Sequence, residues 1–128
     1  MKITVDNYIE NVLRTLASTN KPTERLQDSK IIDLLHGAIG ISTEAGELLD
    51  VLKKHIYYGT SIDEINMMEE CSDLLYYIGV ILSRLGYTFE EVMQRNIEKL
   101  QARYPEKFTS ENAINRDLEK ERKILEKD

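Results

Sequence analysis

Thr43-Glu44-Ala45-Gly46-Glu47 and, further along, Glu69-Glu70-Cys71-Ser72-Asp73 decide how this chain folds. Each stretch sets two carboxylates three residues apart, Glu44 with Glu47 and Glu70 with Asp73, a spacing that puts both side chains on one face of a helix. The pairs also reflect one another. Glu44 and Asp73 lie equally far from the junction of Tyr58 and Gly59, and so do Glu47 and Glu70. Gly59 suits a left-handed helix end, and Thr60 or Ser61 can cap the next helix. Antiparallel helices on either side of that turn bring all four carboxylates to one level.

The first of these helices is expected from 26 or 29 to 56, loosened around Gly37 and Gly40, since glycine weakens a helix relative to alanine. At 100° per residue from Glu47, the residues His36, Gly40, Thr43, Glu44, Asp50 and Lys54 share its face, while Leu34, Ala38, Ile41, Leu48 and Leu52 lie toward the other side. The second helix is expected over 63–85. Its apolar set, from Ile65 to Leu85, is broad enough to predict a central helix buried on much of its circumference, with Cys71 as a packing residue, Tyr76 and Tyr77 as core aromatics or as a stacking surface for a nucleobase, and Asn66, Glu70, Asp73, Tyr77 and Arg84 on a polar stripe.

Beyond these, Val5, Tyr8, Ile9, Val12, Leu13 and Leu16 keep the spacing of an amphipathic helix over 5–17, with Thr4 as its cap. The turn formers of 18–23, Pro22 among them, predict a loop. Thr88-Phe89-Glu90-Glu91 has the form of a capping box and starts a further helix, which Pro105 stops. The charged segment 109–128 keeps an apolar stripe at Ile114, Leu118 and Leu125 and predicts a short fifth helix that needs a partner surface. Arg116 and Arg122 read as surface charges or, if the tail crosses to a neighbouring copy, as groups brought to that copy's site. No strand-like alternation persists, so the fold class is all-α, a bundle of four to five helices, with a main domain over 1–108 and a helical tail over 109–128.

A chain of 128 residues that is 41% hydrophobic and 31% charged is neither disordered nor multidomain. A net charge of −6 disfavours a nucleic-acid polymer as partner, because phosphate backbones require a basic surface. No apolar run is long enough to cross a membrane, and the start of the chain shows no signal-peptide pattern. One cysteine excludes an internal disulfide and suits the cytoplasm.

Four converging carboxylates raise one another's pKa unless a counter-charge is present, and a hard cation supplies one. Oxygen donors with neither cysteine nor histidine favour Mg²⁺, with Mn²⁺ as a substitute, over Zn²⁺, and the lack of Glu-x-x-His pairs disfavours a ferritin-like di-iron centre. Mg²⁺ usually shares its shell with water and substrate phosphates, which points to a polyphosphate substrate. Lys54, Asn96, Lys99 and Arg103 are then candidates for the remaining phosphate charge, and His36 is either a contact for a base or a phosphate or a hydrogen-bonded structural histidine.

Glu44-x-x-Glu47, a gap of 22 residues and Glu70-x-x-Asp73 resemble the acidic signature of the MazG-like nucleoside triphosphate pyrophosphohydrolases. His36-Gly37-Ala38-Ile39-Gly40, Tyr58-Gly59 and Asn96-x-x-Lys99-Leu100-x-x-Arg103-Tyr104-Pro105 are similar to the small stand-alone bacterial and phage members. The resemblance spans 30–108. It implies cleavage of a (d)NTP to a (d)NMP and pyrophosphate, with Mg²⁺ on Glu44, Glu47, Glu70 and Asp73, one of which also orients the attacking water. It implies phosphate contacts from Lys54, Asn96, Lys99 and Arg103. It also implies a homodimer or homotetramer with each site completed near a subunit interface. The similarity to phage-borne members directs the substrate expectation toward dGTP or GTP. The competing expectations are a dUTP or dCTP pyrophosphatase of a related all-α fold and a non-catalytic helical oligomerisation module that binds a divalent ion.

Overall fold

The computed structural model describes residues 1–126, and among these no strand occurs. The last two residues of the expected tail, 127–128, lie outside the described residues. Four of the described helices exceed ten residues: α1 (Val5–Thr15), α3 (Ser29–Tyr58), α4 (Glu64–Leu85) and α5 (Phe89–Arg103). Three short ones accompany them, α2 (Asn20–Arg25), α6 (Ser110–Ile114) and α7 (Leu118–Leu125). No helix of the described residues is long and apolar enough to cross a membrane.

The long helices begin and end where local chemistry dictates. Asp28, Asp63 and Thr88 each accept a backbone N–H with the side chain at the start of α3, α4 and α5, and Thr88 forms the full capping box with Glu91. Gly59 and Gly86 close α3 and α4 in the left-handed region, at φ 73° and 79°.

Two short helices differ from expectation. α2 occupies part of the expected loop, because Pro22 falls at the third helical position, where the missing N–H has no intrahelical partner to lose. The expected fifth helix is divided at 115–117, where Asp117 starts α7 by accepting the Lys120 N–H.

α3 and α4 form an antiparallel hairpin and make the most extensive packing in the chain. The expected loosening at Gly37 and Gly40 is not seen, and α3 runs through both without interruption. Both glycines are buried because α4 approaches there. A Cβ on Gly37 would lie 2.6 Å from Ile81, and one on Gly40 would lie 2.3 Å from the ring of Tyr77. Asp33 pairs with Arg84 farther from the turn. The partners 33 with 84, 40 with 77 and 44 with 73 are all equidistant from the Tyr58-Gly59 junction, so the register inferred from the acidic pairs governs the whole hairpin.

The hairpin is not enclosed within one chain. Val51 and Leu82, each 9% exposed, are the only buried large apolar residues among those described, and Leu49, Ile39, Met68, Leu75 and Tyr76 are exposed. α4 is therefore not the enveloped central helix its composition predicts, and Cys71, expected to pack, is exposed as well. α1 buries none of its residues. The tail does find its partner surface: α7 packs on α5, and Arg95 of α5 donates from Nη1 to the Leu125 carbonyl at 2.7 Å.

Candidate active site

The middle of the α3–α4 hairpin gathers acid. Glu44 of α3 and Glu70 and Asp73 of α4 offer carboxylate oxygens that all lie within 4.8 Å of one another. Glu70 is the most enclosed of them, at 8% exposure, and Asn66 one turn earlier donates its Nδ2–H to Glu70 Oε1 at 2.7 Å. That bond orients the carboxylate. Burial pushes the Glu44 carboxyl above the ordinary glutamate value, and the negative charges of Asp73, Glu70 and Glu47, with a hydrogen bond to Glu70, push it the same way.

Glu47 is exposed and is not among the three clustered acids. It lines a shallow groove on α3 with Ser42, Thr43, Gly46 and Asp50. Three residues of helix rotate a side chain by about 60° from its predecessor, which accounts for the divergence from Glu44.

The clustered donors are all carboxylate oxygens. A hard cation with oxygens at about 2.0–2.6 Å places opposite donors about 4–5 Å apart, so the spacing and chemistry of this group fit one. Mutual repulsion among the acids, visible in the raised Glu44, is what such an ion would offset.

A profile of the MazG nucleotide pyrophosphohydrolase domain matches residues 38–108, more than half of the chain and all of the acidic motif. The chain belongs to the MazG family. Comparison with curated proteins and with solved structures returns no match.

Within this MazG chain, the other expected site residues are not all assembled around the acids. Lys54 is exposed, and its Nζ lies 2.6 Å from Asp50, which also holds Lys53 at 2.5 Å. Hydrogen bonds from Lys53 and Lys54 hold the Asp50 carboxyl below its ordinary value. His36 is exposed with its ring edge-on to Tyr77 at 5.6 Å, and with Asp33, Tyr76, Arg84 and Phe89 it lines a groove of about 680 Å³. Asn96 and Lys99 lie on α5, which makes no extensive contact with α3 or α4. Arg103, at the end of α5, is engaged bidentately by Glu121 of α7 at 2.8 and 2.7 Å.

Sequence reasoning assigns no role to two further features. Asn66 falls on the polar stripe of α4, and its position four residues before Glu70 is the available signal. Arg116, read as a surface charge, donates to the same Glu121 carboxylate from Nε and Nη2 at 3.3 and 2.6 Å. Periodicity carries no signal for that cluster.

Proposed function

We propose that this MazG protein is a Mg²⁺-dependent nucleoside triphosphate pyrophosphohydrolase that converts a (d)NTP and water to a (d)NMP and pyrophosphate, with Mn²⁺ as a substitute ion. The observation that carries the reading is the convergence of Glu44, Glu70 and Asp73 within 4.8 Å inside a MazG domain. These three, with Glu47 beside them, would hold the metal. When bound, a hard cation polarises phosphoryl oxygens and makes water a better nucleophile.

The chain's own groups then have separable tasks. Asn66 keeps Glu70 in one orientation. One of Glu44, Glu47, Glu70 and Asp73 would also orient the attacking water. Lys54, Asn96, Lys99 and Arg103 supply positive charge and hydrogen bonds to the phosphates. The groove beside His36, with the rings of Tyr76 and Phe89 on its wall, has the mixture of aromatic and polar groups that a nucleobase requires. A purine, guanine first, is the base to test.

The working unit is a homo-oligomer, a dimer or a dimer of dimers. A compact monomer of 14.9 kDa would expose about 7,000 Å², whereas this chain exposes 10544 Å². The excess, about 3,500 Å² per chain, is well above the ~800 Å² that a standard interface takes from each partner. Because α5 stands away from the acids of its own chain, its phosphate-binding strip serves the site of a neighbouring copy.

Incubating the protein with a panel of NTPs and dNTPs plus Mg²⁺, and assaying pyrophosphate, tests the reading. Release of pyrophosphate and loss of it in the Glu47→Gln/Glu70→Gln double variant are expected. Full activity in that variant, or no pyrophosphate from any nucleotide, would sink the catalytic reading; orthophosphate in its place would relocate the cleaved bond.

A further inference from the structure

Glu121 is more enclosed than any carboxylate of the acidic cluster, at 5% exposure, although it lies outside the residues matched to the MazG domain. Its two oxygens accept four hydrogen bonds, two from Arg103 and two from Arg116. One carboxylate therefore holds two planar guanidinium forks together, and the three groups retain one net positive charge. Each guanidinium carries five N–H donors, and Glu121 uses two of each. Arg116, the more exposed of the two, has three left for another acceptor, and Arg103 has fewer, because its side chain is also hydrogen-bonded to Tyr104.

Both arginines line a cavity of about 230 Å³ at the junction of α5, α6 and α7. Lys120, Asn112 and Asn115 are also on its wall, together with one acid, Asp117. Lys120 joins no ion pair among the described residues. In a chain of net charge −6, this is a local reversal of sign. At ~30 Å³ per water, the volume corresponds to about eight waters, enough room for a tetrahedral oxyanion.

A simple fastening of α7 to α5 would need one fork. The second arginine crowds like charge onto a single carboxylate, an arrangement that gains when an anion meets the exposed N–H edges. We propose that this cavity is a seat for a phosphate oxyanion, with Glu121 as the positioning residue that presents Arg103 and Arg116 to it. Only the origin of the anion rests on the hydrolase reading: it is either the triphosphate of a nucleotide or the pyrophosphate released from one.

The test is calorimetric titration of the full chain in EDTA, where no divalent ion draws phosphates to the acidic cluster. Inorganic phosphate, pyrophosphate and GTP are titrated separately into the unmodified protein and into Arg116→Ala and Lys120→Ala. Saturable binding that weakens about tenfold in each variant, with unchanged helix content by circular dichroism, is expected for the loss of one charge-assisted contact. Lys120→Ala breaks no ion pair among the described residues and so reports on the seat even if Arg116→Ala loosens α7. Tighter binding of pyrophosphate than of GTP assigns the seat to the product, and the reverse order assigns it to the substrate. No saturable binding of any of the three anions, or unchanged affinity in both variants, overturns the proposal. Because no step requires hydrolysis, an inactive protein that still binds phosphate would reject the catalytic reading and retain this one.

Discussion

A methyl group at position 40 has nowhere to go, because the atoms it would meet include the proximal carbon of the Tyr77 ring, which cannot swing aside like the tip of a flexible side chain. Gly40→Ala should therefore lose about 1–3 kcal/mol of stability through overpacking, more than the ~1 kcal/mol that alanine gains in helix propensity, as measured by chemical denaturation. Gly46 is the internal control. Nothing lies within 4 Å of the place a methyl would take there, so Gly46→Ala should keep the propensity gain and come out neutral to about 1 kcal/mol more stable. Asn66 carries a prediction for binding rather than for stability. Asn66→Ala removes the donor that fixes a buried carboxylate, and Mg²⁺ or Mn²⁺ affinity measured by calorimetry should fall by about 10–100-fold while circular dichroism stays constant. Equal affinity in that variant would mean that Glu70 is held by packing alone.

The tail helix α7 depends on α5, and its acid response follows from one group. Hydrogen bonds from Arg103 and then Arg116 lower the Glu121 carboxyl from the ordinary 4.5 to about 2. A depressed folded value means that the stabilisation is complete above about pH 4.5 and is lost as the pH falls through about 2. Hydrogen exchange at 118–125 should therefore accelerate as the pH drops across that window, after correction for the intrinsic rate, and the Glu121→Gln tail should exchange quickly at both ends of it. The same elements show what can be read from sequence. The start of α5 at Thr88 and the ends of α3 and α4 at Gly59 and Gly86 follow from neighbours in sequence, whereas Asp63, and not the expected Thr60 or Ser61, caps α4; the hairpin register follows from the spacing of Glu44, Glu47, Glu70 and Asp73. α2 and the division between α6 and α7 are not legible, because helices of five to eight residues depend on single capping bonds rather than on a repeated apolar stripe. The Arg103–Glu121–Arg116 cluster is hidden for a related reason: Glu121 meets partners 18 and 5 residues away, intervals that belong to the packing of helices and to no helical period.

For the molecule as a whole, the large apolar side chains left exposed on α3 and α4 are the reason for proposing an oligomeric working unit. Sedimentation equilibrium at micromolar concentration should give a mass near two or four times 14.9 kDa, and unfolding midpoints should rise with protein concentration, as they do when subunit association contributes to stability. A monomeric mass with concentration-independent unfolding would contradict the proposed assembly. The reflection of α3 onto α4 has a further consequence, in the order of events during folding. Because partners are equidistant from the turn, the loop that each contact closes lengthens steadily with distance from it, and closure entropy grows only with its logarithm. The hairpin is thus a zipper whose cheapest contacts lie at the turn. Its middle teeth are carboxylates of one sign, so closure must pass an electrostatic hump before reaching the glycine-lined seam at 37 and 40, and a divalent cation that lowers that hump would act on the rate of folding as well as on the finished site.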